Sequence, residues 1–79
     1  MIKEQVVKRF KSICESRGIT YNHLANISGV TPSTVYSLMD SRRKEVTINL
    51  IKILCDGLDM SLKDFFDSEE FEEIEQEIK

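Results

Sequence analysis

A chain of 79 residues, 41% of them hydrophobic, with three glycines and one proline, makes a single small domain with little room for long irregular loops. No apolar run approaches the roughly 18 residues of a membrane span, and so small a fold offers little room for an enclosed active-site pocket. The net charge of -3 is unevenly placed: residues 1–66 carry ten Lys/Arg against seven Asp/Glu, a balance of +3, and residues 67–79 carry one against seven, a balance of -6.

That asymmetry matters more than the total, because it makes the compact part mildly basic and leaves the acid in a tail. Alternating β-branched residues are missing, so an all-α chain is expected. Cys14 and Cys55 form no C-x-x-C pair and stand in no His/Cys cluster, which predicts free core thiols in a reducing cytoplasm and no metal site. Lys3, Glu4, Lys8 and Arg9 interrupt any apolar run at the start, so no signal peptide is expected.

The first helix is expected over 3–16. Val6, Phe10 and Ile13 recur at helical spacing, with Val7 and Cys14 widening the stripe. Lys8, Arg9 and Lys11 fall on other faces and read mainly as solvated surface. Arg17 and Gly18 close the helix, a cation and then a residue suited to positive φ.

The second helix is expected over 21–28, capped by Thr20 and ended by Gly29. Leu24, Ala25 and Ile27 share its apolar side, and Asn22 and Asn26 point outward. His23 has polar neighbours and no second catalytic group beside it. The third helix, 32–39, starts at the cap residue Thr31, with Pro32 in the first position, where a missing N–H costs nothing. Val35, Leu38 and Met39 cluster on one side. Ser33 and Ser37 point the opposite way, flanked by Tyr36 and Thr34. Stop and restart within so few residues is a helix-turn-helix signature. An outward face of small hydrogen-bonding groups on such a helix can enter a DNA major groove.

Asp40-Ser41-Arg42-Arg43-Lys44 follows at once, three consecutive cations able to grip a phosphate backbone. The fourth helix is expected from Thr47 to about residue 58. Ile48, Leu50, Ile51, Ile53, Leu54 and Leu58 make it a central core helix. Gly57 marks a place where another backbone could come close, and Asp59 stands where a left-handed terminator is wanted. A short fifth helix, 62–66, begins at Ser61, with Asp64 three residues on as in a capping box. In the acidic tail, 67–79, Phe71, Ile74 and Ile78 recur at i, i+3 and i+7, which supports an amphipathic sixth helix.

At Leu24-Ala25, Gly29, Val35 and Leu38 the sequence resembles the XRE/Cro-like helix-turn-helix family, which includes the lambdoid phage repressors. The likeness continues through 47–58 and 61–66 and covers about residues 5–66. It implies a five-helix lambda repressor-like DNA-binding domain over 1–66, with an acidic segment over 67–79. It further implies a cytoplasmic, sequence-specific transcriptional regulator, a repressor, that is not an enzyme and needs no cofactor. Pro32, Ser33, Tyr36 and Ser37 would read bases; Tyr21, Asn22, Thr31, Arg42, Arg43 and Lys44 would meet phosphates. The partner would be double-stranded DNA, with homodimerisation through the fifth helix and the C-terminal segment. Base-reading positions in the family often carry Gln, Asn or Arg, whereas here they are Pro and Ser. That shifts specificity toward Tyr36, the cationic loop and DNA shape. The alternative is a protein-interaction module, antitoxin- or adaptor-like, that uses the acidic tail.

Overall fold

The computed structural model of the protein describes residues 2–43 and 45–72. Among these residues it contains six α-helices and no strand: α1 (Ile2–Arg17), α2 (Tyr21–Ser28), α3 (Pro32–Met39), α4 (Ile48–Gly57), α5 (Leu62–Phe66) and α6 (Glu69–Glu72). The expected all-α architecture holds, with boundaries within a residue or so of those read from cap signals. A sixth helix begins after Asp67 and carries Phe71; Ile74 and Ile78 lie outside the described residues.

The helices are short, so their ends dominate the backbone accounting. Each end leaves orphan N–H or C=O groups that something must satisfy. At the N-termini, the hydroxyls of Thr20, Thr47 and Ser61 accept from the backbone N–H of His23, Leu50 and Asp64 at 3.0–3.1 Å. At the C-termini, α1, α2 and α4 finish in the same hydrogen-bonded pattern. The N–H groups of Ile19, Val30 and Met60 reach back to the carbonyls of Cys14, Ala25 and Cys55 at 2.9–3.1 Å. That pattern needs a left-handed residue at the turn. Gly29 serves α2 at φ 73°, and Asp59 serves α4 at φ 55°.

The core is one cluster. Val6, Phe10, Ile13 and Cys14 from α1 meet Leu24 and Ala25 from α2, Val35 and Leu38 from α3, Ile51, Leu54 and Cys55 from α4, then Leu58 and Phe65. Burying each large apolar side chain contributes about 1.5–3 kcal/mol. Phe65 packs against Phe10 with ring centroids 4.5 Å apart, and Phe66 and Phe71 extend this aromatic group toward α6. Both cysteines are free and buried. Burial pushes the Cys55 thiol up to about 11 and raises that of Cys14, so both stay protonated and unreactive.

Two apolar expectations are corrected. Ile48 is 62% exposed, because it occupies the first turn of α4, which projects beyond the packed centre. Ile27 is 40% exposed, because only Leu24 and Ala25 of α2 face inward.

The close approach anticipated at Gly57 is present. A Cβ at that position would lie 2.8 Å from Ser28 Cα and 2.9 Å from Ser28 Cβ, so only glycine lets α4 pass the end of α2. With Ala25 fully buried on the same helix, this crossing sets how α2 sits on α4. Two substitutions should therefore move stability in opposite directions in urea unfolding. Gly57→Ala should lower it by about 1–3 kcal/mol through overpacking, despite alanine's better helix propensity. Asp59→Gly should raise it by up to about 1 kcal/mol by relieving a left-handed non-glycine residue.

Candidate nucleic-acid interface

α3 packs against α2 across the turn Gly29-Val30-Thr31. Its apolar stripe is anchored, Val35 at 0% exposure and Leu38 at 4%, with Met39 half-buried. The opposite side faces solvent. Pro32, Ser33 and Tyr36 are exposed, and Ser37 and Thr34 are half-buried on its flanks. The four residues expected to read bases therefore share one accessible side of one rigid helix.

The start of α3 differs from the expectation. Thr31 holds the N-cap position but makes no side-chain cap bond. Its hydroxyl lies 3.1 Å from the Ser33 hydroxyl and 2.9 Å from the Thr34 hydroxyl. Pro32 has no N–H, and the Thr34 N–H turns to the Thr31 carbonyl at 3.0 Å. The positive end of α3 is thus rimmed by three hydroxyls instead of closed by a cap.

Shallow grooves run along both sides of this helix. One is lined by Ser33 and Ser37 together with Arg43, Glu45 and Thr47. The other is lined by Tyr36 together with Tyr21, Thr20 and Lys11. Tyr21 meets Tyr36 edge to face, centroids 5.7 Å apart at 75°. Burial raises the Tyr21 phenol, so its O–H remains a hydrogen-bond donor. Asn22 is exposed at the start of α2. The structure thus sets Tyr21 on one side of the α3 face and Arg43 on the other.

The cationic loop is more structured than its sequence suggests. Arg42 folds back on Asp40: its Nη2 lies 2.9 Å from Oδ2, and its backbone N–H donates to Oδ1 at 2.9 Å. These hydrogen bonds from Arg42 hold the Asp40 carboxyl down at about 2. Arg42 is therefore charge-compensated although its side chain is 88% exposed. Arg43 is exposed and lines the groove beside Ser33 and Ser37, with Glu45 in the same groove. Lys44 lies outside the described residues.

Three other cations do structural work. Arg9 donates to the carbonyls of Phe65 at 2.8 Å and Asp64 at 2.9 Å. Arg17 donates to the Leu58 carbonyl at 2.6 Å, and Lys3 to the carbonyls of Arg43 at 2.6 Å and Asp40 at 3.3 Å. By sequence Arg9 falls on the solvated face of α1, and nothing beside Lys3 marks a partner. Lys3 did carry a signal, since a cation in the first turn of a helix opposes the helix dipole and needs another reason to be there. His23 is exposed, and no set of His, Cys, Asp and Glu side chains among the described residues is grouped to hold a metal ion.

A helix ended by a left-handed glycine, a tight turn, and a second helix pinned by its apolar side with its polar side bare define a helix-turn-helix unit. Residues 9–70 match the Cro/C1-type helix-turn-helix DNA-binding domain, and the chain belongs to that family. No curated protein and no solved structure gives a significant match. No helix among the described residues is long and apolar enough to cross a membrane.

The Asp40–Arg42 pair predicts a pH dependence. An unfolded aspartate titrates near about 3.9. The folded carboxyl titrates lower, so its stabilisation is present above about pH 4 and disappears as pH falls toward about 2. The melting-temperature difference between the wild type and Asp40→Asn should be largest near neutrality and close to zero at pH 2.

Proposed function

We propose that the protein is a sequence-specific transcriptional regulator, a repressor, that lays α3 in the major groove of operator DNA. The observation that carries this reading is the bare polar side of α3, set between Tyr21 on one flank and Arg43 on the other. Ser33, Tyr36 and Ser37 meet base edges, with Pro32 packing at the entry. Tyr36 is the largest of these side chains and is 52% exposed; its ring suits a thymine methyl and its hydroxyl a base acceptor.

Tyr21, Asn22, Thr31, Arg42, Arg43 and Lys44 meet phosphates. The exposed Thr31 hydroxyl at the positive end of α3 supports its role, since the helix dipole there attracts phosphate oxygens. Arg42 must exchange Asp40 for phosphate, whereas Arg43 needs no such exchange. Residues 1–66 form the binding domain and 67–79 an acidic segment. Homodimerisation runs through α5 and the C-terminal segment, where Phe66 and Phe71 are half-buried with ring centroids 4.8 Å apart.

Selection of bound sequences from random duplex DNA tests this directly. It should return a defined, twofold-symmetric site with half-sites about one helical turn apart. Failure to enrich any sequence would refute the reading. Arg43→Ala should weaken binding to all duplexes alike and reduce the slope of log affinity against log salt by about one. Tyr36→Ala should instead change which sequences are enriched, at a cost of about 1–3 kcal/mol on the preferred site.

A further inference from the structure

The turn after α3 carries the cations nearest the candidate reading face, yet the core does not hold it. Ser41, Arg42 and Arg43 are all exposed. Its own hydrogen bonds are local. Asp40 N–H reaches Ser37, Arg43 N–H reaches the Asp40 carbonyl at 3.1 Å, and Arg42 binds the Asp40 carboxylate. Among the described residues, the hydrogen bonds that tie this turn to another helix come from Lys3. Its side chain crosses from the first turn of α1, 7% exposed, and its ammonium bridges the carbonyls of Asp40 and Arg43. Both partners belong to one four-residue turn, 37 and 40 residues away in sequence.

We propose that Lys3 is a positioning residue for DNA binding. By bridging two carbonyls of the turn, it fixes the backbone from which Arg43 extends into the groove beside Ser33 and Ser37. This assignment rests on the DNA-binding reading above, but its structural half does not. Lys3 does not contact DNA itself, because its ammonium is spent on the two carbonyls. A cation suits the site chemically: the carbonyls that follow a helix C-terminus carry the negative end of its dipole, and an ammonium can donate to several of them at once. Methionine matches the apolar stem of lysine and removes every donor.

The test compares the full-length wild type with Lys3→Met, Lys3→Gln, Arg43→Ala, the Lys3→Met/Arg43→Ala double variant, and Lys8→Met. The last removes an exposed lysine from the same helix and matches the change in net charge. Amide hydrogen exchange at Arg42 and Arg43 reads the turn without any DNA. Salt titrations against the selected duplex, or against random duplex if none is selected, read the interface. Lys3→Met should accelerate exchange at both amides and weaken binding by about tenfold relative to Lys8→Met. It should lower the salt slope by about one, as Arg43→Ala does. The double variant should bind no worse than Arg43→Ala alone, because Lys3 acts through that residue. Should Lys3→Met fail to fold, Lys3→Gln, whose shorter neutral amide does not reach both carbonyls, carries the same comparisons. Unchanged exchange at Arg42 and Arg43 overturns the assignment, and so does additive loss in the double variant. Accelerated exchange with a wild type that binds no DNA would leave the latch standing and refute the DNA-binding reading instead.

Discussion

The constraint that shapes this fold is the number of helix ends. Helices of four to sixteen residues leave a large share of the backbone in first and last turns, where no intrahelical partner exists. The chain meets the donor side locally, with hydroxyl caps at Thr20, Thr47 and Ser61. The acceptor side is met partly by the local returns of Ile19, Val30 and Met60 and partly over long distances. The longest helix sends three cations to carbonyls at or just past the C-terminal ends of three others: Lys3 to the turn after α3, Arg9 to the last turn of α5, and Arg17 to the residue after α4. α1 therefore acts as a spine whose cations hold the shorter helices by their C-terminal ends. A hydrogen bond to a charged group contributes about 1.5–3 kcal/mol, comparable to burying one large apolar side chain.

This arrangement means that five of the ten cations in residues 1–66 are already engaged within the fold. Lys3, Arg9 and Arg17 are engaged with carbonyls, Arg42 with Asp40, and Lys52 with Asp56. Among the described residues, the cations lining the grooves beside α3 are Arg43 on one side and Lys11 on the other. The face that α3 presents is correspondingly rich in hydroxyls and poor in charge. Position, more than charge density, has to supply whatever discrimination the domain makes. That position is set by the anchored stripe of Val35 and Leu38 and by the glycine-permitted crossing of α2 and α4.

Much of this was legible in the sequence because it is encoded locally. Thr20, Gly29, Pro32, Thr47, Ser61 and Asp59 are residues whose own backbone or side chain makes the boundary, and the helices begin and end where those residues stand. Gly57 was legible for a related reason: a glycine inside an apolar helix must answer to a neighbour. The cation-to-carbonyl bridges were not legible, since any backbone carbonyl can accept and no residue type marks the partner 40 positions away. Ile48 was misplaced because periodicity cannot tell the core-facing turns of an apolar helix from a first turn that overhangs the core. Thr31 was read as a closing cap because hydroxyl residues usually bond to nearby backbone, whereas here two neighbouring hydroxyls compete for it.

The edge-to-face pair of Tyr21 and Tyr36 has an optical consequence. The chain has two tyrosines and no tryptophan, and both tyrosines sit together at the rim of α3. Essentially all of the protein's near-ultraviolet emission therefore originates at the surface where a duplex would dock. A nucleobase stacked on either ring would quench it, so the unlabelled molecule reports on its own candidate interface with almost no background from the rest of the fold.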